Sequence, residues 1–148
     1  YCGRTSVNTV ALAARRGAFD YISDTYDDDL PYWMQAGDRD QLIIPYTLDC
    51  NDMRFATPQG FNSGDQFYAY LRDTFDALYA EGAGGAAKMM SVGLHCRLVG
   101  RPGRIQALKR FIDHIKGVEG VWTPRRIDIA DHWRAVHPPQ PRGSRPSQ

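Results

Sequence analysis

The segment Met89-Met90-Ser91-Val92-Gly93-Leu94-His95-Cys96-Arg97 carries the chemistry most worth following, because a short apolar run ends there in an imidazole. An imidazole at the end of a strand can donate to a developing oxyanion or protonate a leaving nitrogen. It can equally satisfy a backbone carbonyl and do nothing else. Arg97 and Arg101 follow within six positions, available to a carboxylate or carbonyl of a ligand or simply to solvent. A second group is Asn51-Asp52-Met53-Arg54, whose donors and acceptors match an amide or ureide, although Asn and Asp also favour turns. A third is the acidic loop with Asp24, Asp27, Asp28 and Asp29, followed by Tyr32 and Trp33. One of these carboxylates can orient a histidine or act as a base, and the aromatics can wall a small pocket. The alternative is a solvated loop. Arg4 stands just before a helix start, where a guanidinium can pin a carboxylate bidentately.

The elements that must position these groups follow from periodicity. Val7 to Arg16 reads as a helix capped by Thr5 or Ser6 and stopped by Gly17. Phe19 to Asp24 alternates as a short strand, and Leu42 to Leu48 as a second, with Pro45 placing it at an edge or bulge. Ser63 caps a helix over Asp65 to Ala80, with Phe67, Leu71, Phe75 and Leu78 on one face. Lys88 to Leu94 is a third strand, Arg104 to Lys116 a helix, Val118 to Thr123 a weaker strand, and Asp128 to Val136 a last helix. Alternation of strand and helix predicts an α/β protein with a parallel sheet. Residues 1–137 read as one domain, and the tail 138–148, which lacks apolar residues, as disordered.

The totals bound the class. At 148 residues, 43% hydrophobic and 24% charged, the chain suits one globular domain. A net charge of +1 with arginines scattered among acids gives no basic stripe for nucleic acid. No 18-residue apolar run is present, so no membrane span is expected. Cys2, Cys50 and Cys96 are widely spaced and odd in number, which predicts free thiols in a reducing, cytoplasmic setting. Cys96 is taken as an inert buried thiol. No metal set is expected, since the Asp27-Asp28-Asp29 run lacks the spacing and glycine of a calcium loop. No phosphate-binding glycine loop, dinucleotide fingerprint or nucleophile elbow occurs.

Four blocks in order carry a resemblance: Gly3-Arg4-Thr5-Ser6-x-Asn8-Thr9; Asp24-x-Tyr26-x-Asp28-Asp29-Leu30-Pro31-Tyr32-Trp33; Ile44-Pro45-Tyr46-Thr47-Leu48-Asp49-x-Asn51-Asp52-x-Arg54-Phe55; and Met90-Ser91-x-Gly93-Leu94-His95-x-Arg97-x-x-Gly100-Arg101-Pro102. Together they resemble the polysaccharide-deacetylase superfamily, and within it the allantoinase branch of purine catabolism. The resemblance implies the C-terminal part of a distorted (β/α) barrel, with the N-terminal half of that barrel as a partner outside residues 1–148. It implies hydrolysis of a non-peptide C–N bond, allantoin to allantoate, with deacetylation of N-acetylated sugars as the alternative. A third alternative is a truncated, non-catalytic piece, which half a barrel with open sheet edges would also fit.

By the same resemblance His95 is the general acid toward the leaving nitrogen, and Arg4 orients a catalytic carboxylate. Asp24, or one of Asp27 to Asp29, belongs to the acidic-aromatic motif that helps orient the histidine. Tyr32, Trp33, Asn51, Arg54 and Arg97 are the expected substrate contacts. The superfamily's Asp-Asp pair and His-x-x-x-His have no match in residues 1–148. The allantoinase branch implies no cofactor, whereas a deacetylase implies zinc in the parent protein. A small molecule is the expected substrate, with neither nucleic acid nor membrane as partner, and the parent is expected as a homo-oligomer.

Overall fold

The computed structural model describes residues 4–140; Cys2, Gly3 and the end of the tail, residues 141–148, lie outside the described residues. The chain divides into two compact units, Tyr1–Pro45 with Thr123–Gln148, and Tyr46–Trp122.

In the first unit, helix α1 spans Thr9–Arg16 and stops at Gly17, whose φ of +65° suits a residue without Cβ. Arg15 and Arg16 in its last turn lie at the negative end of the helix dipole. A hairpin then forms from β1 (Tyr32–Ala36) and β2 (Arg39–Ile43), antiparallel, with Trp33 opposite Leu42 and Ala36 opposite Arg39. Gly37, at φ +64°, supplies the left-handed residue of the two-residue turn.

This hairpin differs from the sequence expectation, which left Tyr32 and Trp33 in a loop and began a strand at Leu42. The apolar run Leu42-Ile43-Ile44 is only the buried end of the strand, all three at 0–1% exposure. Its first residues, Arg39 and Asp40, are charged, so hydrophobicity marks the strand too late. The Gly37-Asp38 pair between two runs was the local signal of the turn.

The expected strand at Phe19 to Asp24 is reduced to one parallel bridge. Ile22 donates to the Leu42 carbonyl and accepts from Ile44 N–H, each at 2.9 Å. Beyond it Pro45 has no N–H to continue a ladder. The buried carbonyls of Ile44 and Pro45 are instead satisfied by one guanidinium. Arg126, at the start of helix α5 (Arg126–Val136), donates to Ile44 O at 2.9 Å, to Pro45 O twice at 3.1 Å, and to Ser23 Oγ at 2.9 Å. Helix α5 therefore begins two residues before the expected Asp128. An Arg126→Ala variant is expected to strand these acceptors and lose about 2–3 kcal/mol. A chemical-denaturation midpoint unchanged from wild type would show that water replaces the arginine without cost.

In the second unit, helix α2 (Gly64–Ala83) starts where expected, with Ser63 Oγ accepting from Gln66 N–H at 3.3 Å. A four-residue helix α3 (Cys96–Val99) and helix α4 (Pro102–Ile115) follow. Pro102 needs no N–H partner at the first turn of α4. Phe67 and Leu71 of α2 meet Ala107 and Phe111 of α4, and Cys50, Phe61 and Val99 complete the core. Gly64 permits the close approach: a Cβ there would sit 3.0 Å from the Gly103 carbonyl.

The expected strand at Lys88 to Leu94 also reduces to one parallel bridge, Asn51 with Gly93. Gly93 donates to Cys50 O at 2.8 Å and accepts from Asp52 N–H at 2.9 Å. Val118 to Thr123 forms no strand; turns at Gly117 and Gly120, both at positive φ, interrupt it. The parallel contacts of an α/β sheet are thus present, but each is a single bridge, and among the described residues the hairpin is the one ladder. No helix among the described residues is long and apolar enough to cross a membrane.

Candidate active site

His95 sits at the junction between the extended segment ending at Leu94 and the short helix α3, with φ −122° and ψ 123°. Its own side chain caps nothing. The cap comes from 43 residues earlier. Asp52, fully buried at 0% exposure, directs Oδ2 at two backbone donors, His95 N–H at 2.7 Å and Val99 N–H at 3.0 Å. Its other oxygen, Oδ1, lies 2.6 Å from His95 Nδ1. An ionised carboxylate only accepts, so this contact places a proton on Nδ1. Nε2 is then the ring nitrogen left for chemistry, on an imidazole whose side chain is 29% exposed.

The Asp52 side chain is held in place by its own loop. Residues Asp52–Ala56 form a 3₁₀ turn, and Asn51 caps it by accepting from Met53 N–H at 2.9 Å. Asn51 also donates to the Thr47 carbonyl at 3.0 Å and is 2% exposed. Asn51, expected as a substrate contact, thus has its carboxamide bonded within its own loop. Arg54 lies over the adjoining rings of Phe61 and Tyr70, at 4.6 and 4.7 Å from their centroids, and stands 3.6 Å from Asp49. Tyr70 donates to Asp49 at 2.5 Å, which raises its own phenol above the usual range. Arg97 is exposed and reaches Met53 Sδ at 3.6 Å.

The remaining expected residues belong to the first unit. Arg4 is exposed, and Asp24 is half-buried and partnered. Tyr32 donates to both oxygens of Asp27 at 2.9 Å, and burial, with Asp27 beside it, lifts its phenol. Asp28 accepts from the N–H groups of Asp29 and Leu30, closing the loop. Trp33 donates from Nε1 to the His137 carbonyl at 2.6 Å. It also lines a cavity of about 430 Å³ with Phe19, Arg39, Gln41 and Arg134.

His95, Asn51, Arg54 and Arg97 therefore share one unit, while Arg4, Asp24, Tyr32 and Trp33 share the other. The carboxylate bonded to His95 is Asp52 rather than a member of the Asp24 to Asp29 group. Sequence spacing offers no trace of that pairing across 43 positions.

Two thiols are described. Burial pushes Cys50 up to about 11, with Asp49 adding to the effect. Cys96 is exposed, contrary to its expected burial. Iodoacetamide at pH 8 is therefore expected to label Cys96 at least tenfold faster than Cys50 in the native protein, read by peptide mass mapping. Equal rates would mean that the core around Cys50 opens readily. Because the folded thiol titrates above its unfolded value of 9.0, its contribution to stability is complete below pH 9 and lost as pH rises toward 11.

No protein-family model matches the chain. A Schizosaccharomyces pombe protein named "Putative polysaccharide deacetylase" is 47% identical over 154 residues, covering 93% of this chain and 48% of that protein. Two crystal structures each match at 58% identity and TM-score 0.89, covering 95% of this chain and 47% of theirs. One is a PuuE allantoinase and the other a probable polysaccharide deacetylase from Pseudomonas aeruginosa. The chain belongs to the polysaccharide deacetylase superfamily. Its α/β fold is that of part of the superfamily's barrel. It spans about half the length of the curated relative it matches.

Zinc, implied for the superfamily's deacetylases, has a poor fit to the residues described. His95 has its Nδ1 taken by Asp52, and among the described residues no three His, Cys, Asp or Glu side chains converge as a ligand set. No step below is routed through a metal.

Proposed function

We propose that this superfamily member supplies the proton-donating side of a hydrolase for non-peptide C–N bonds, acting on allantoin to give allantoate. The observation carrying this reading is the 2.6 Å contact between His95 Nδ1 and the fully buried Asp52 carboxylate. Amide hydrolysis stalls unless the departing nitrogen is protonated, and an imidazole held in place by a buried carboxylate is suited to that task. Asp52 keeps the proton on Nδ1 and fixes the orientation of the ring, leaving Nε2 as the nitrogen without that contact. The water-activating carboxylate, with Arg4 as its orienting partner, belongs in this proposal to the part of the barrel beyond residues 1–148.

Allantoin is favoured by the similarity to the PuuE allantoinase. The equal identity to the Pseudomonas aeruginosa chain supports the second reading, deacetylation of N-acetylated sugars. Both need the same proton donor. The test is to assay the intact natural protein on allantoin and on N-acetylglucosamine oligomers, with and without chelator. Allantoate formation that survives chelation is the expected result. Acetate release with no turnover of allantoin would move the protein to the deacetylases.

A further inference from the structure

We propose that Asn51 is a positioning residue for the proton-donating step: its carboxamide, seated over the bare face of Gly93, holds the Asp52 carboxylate in register with the His95 ring. The inference rests on the C–N hydrolase reading above and adds to it the residue that sets the acid pair.

Asp52 and His95 come from segments that meet at one isolated parallel bridge, Asn51 with Gly93. Asp52 is the residue after Asn51, and His95 lies two after Gly93. The register of the bridge is therefore the register of the pair. A slip of one residue along extended chain would move Asp52 by about 3.3 Å, which exceeds the 2.6 Å contact to Nδ1. The bridge itself consists of Gly93 N–H on Cys50 O at 2.8 Å and Asp52 N–H on Gly93 O at 2.9 Å. With no ladder beside it, such a bridge needs a side-chain contact to fix its register.

Asn51 supplies that contact on three sides. Nδ2 donates to Thr47 O at 3.0 Å, tying the residue to the segment that enters the loop. Oδ1 accepts from Met53 N–H at 2.9 Å, at the start of the 3₁₀ turn that Asp52 opens. The carboxamide also fills the space over Gly93. A Cβ built on Gly93 would collide with Asn51 Nδ2 and lie 2.6 Å from both Asn51 Cγ and Tyr46 Oη. Asn51 in this position and a bare residue at 93 therefore require each other. At 2% exposure Asn51 offers no surface to a substrate, so its effect on turnover passes through Asp52.

Asp52 must meet His95 N–H, Val99 N–H and His95 Nδ1 together. Without the Asn51 anchor, Oδ2 can keep the backbone donors while Oδ1 swings away from Nδ1. The ring then loses the contact that places its proton and its plane. A misplacement of about 1 Å can cost about 100-fold in rate.

The experiment compares wild type, Asn51→Ala, Asn51→Ser and His95→Ala in the intact natural protein, on allantoin and on N-acetylglucosamine oligomers. Ring-¹⁵N histidine labelling adds an NMR readout, with His95→Ala identifying the His95 signals. Wild type is expected to carry the His95 proton on Nδ1. In Asn51→Ala that signal is expected to give way to a mixture of tautomers, while kcat falls about 10- to 100-fold and KM stays within about threefold. Asn51→Ser returns an acceptor to the start of the turn but no carboxamide donor for Thr47 O. Its kcat is expected between the two, at least about threefold below wild type. A folded Asn51→Ala with wild-type kcat, or with lower kcat and an unchanged His95 tautomer, overturns the proposal. If Asn51→Ala does not fold, Asn51→Ser decides, and wild-type kcat and tautomer there overturn it. A wild type that cleaves neither substrate overturns the hydrolase reading instead, and the tautomer in Asn51→Ala still judges the positioning role.

Discussion

A His95→Ala variant of the intact protein is expected to fold normally and to lose C–N hydrolysis by about 10²–10⁴-fold in kcat, the usual worth of a positioned general acid. Folding should survive because two of the three contacts to Asp52 here are backbone ones. The N–H of residue 95 still reaches Asp52 Oδ2, and helix α3 keeps its cap through Val99. What disappears is the proton on Nε2. KM should change little, since the general acid acts on the leaving nitrogen as the bond breaks rather than on the ground state. Steady-state kinetics beside a circular-dichroism spectrum check both halves. Retained turnover with a native spectrum would remove His95 from the chemistry and leave the Asp52 contact as a structural tie.

Asp52→Asn is expected to separate the two tasks of the buried carboxylate. Asparagine keeps one oxygen for the N–H groups of His95 and Val99, so the cap on α3 is retained and the protein stays folded. The other oxygen becomes an NH₂ group facing Nδ1. His95 must then accept at Nδ1, and the imidazolium meets N–H against N–H. The acid form is disfavoured, and kcat is expected to fall by about 10²–10⁴-fold with the histidine still in place. Asp52→Ala differs in kind. It leaves two N–H groups without acceptor beside a half-buried imidazole, and a stability loss of about 2–5 kcal/mol is expected. An Asp52→Asn protein with wild-type kcat would show that the 2.6 Å contact does not tune the ring.

How much of this was legible beforehand depends on the range of the interaction that makes each element. The long helices were legible because their cause is local. Ser63 and the Phe67-Leu71-Phe75 spacing mark α2, and Pro102 with Ile105, Leu108, Phe111 and Ile112 marks α4. Gly17 marks the end of α1 for the same reason. The His95 end of the apolar run was legible too, as a residue type at a chain position. Extended segments were not, since a strand exists only through a neighbour. Lys88 to Leu94 has strand composition but is pinned at Gly93 alone, and Val118 to Thr123 is broken by glycine turns.

The sequence by itself determined the four longer helices, the glycine stop of α1 and the histidine to which the chemistry is assigned. Only the tertiary structure decided which carboxylate that histidine uses. Asp24 or one of Asp27 to Asp29 was expected in that role, because composition and spacing report what a side chain can donate or accept, not where it points. The Asn51 cap and the bridge to Gly93 bring Asp52 to His95 across 43 residues. Burial then makes the choice consequential, since a carboxylate at 0% exposure must find its donors inside the protein, and His95 and Val99 provide them.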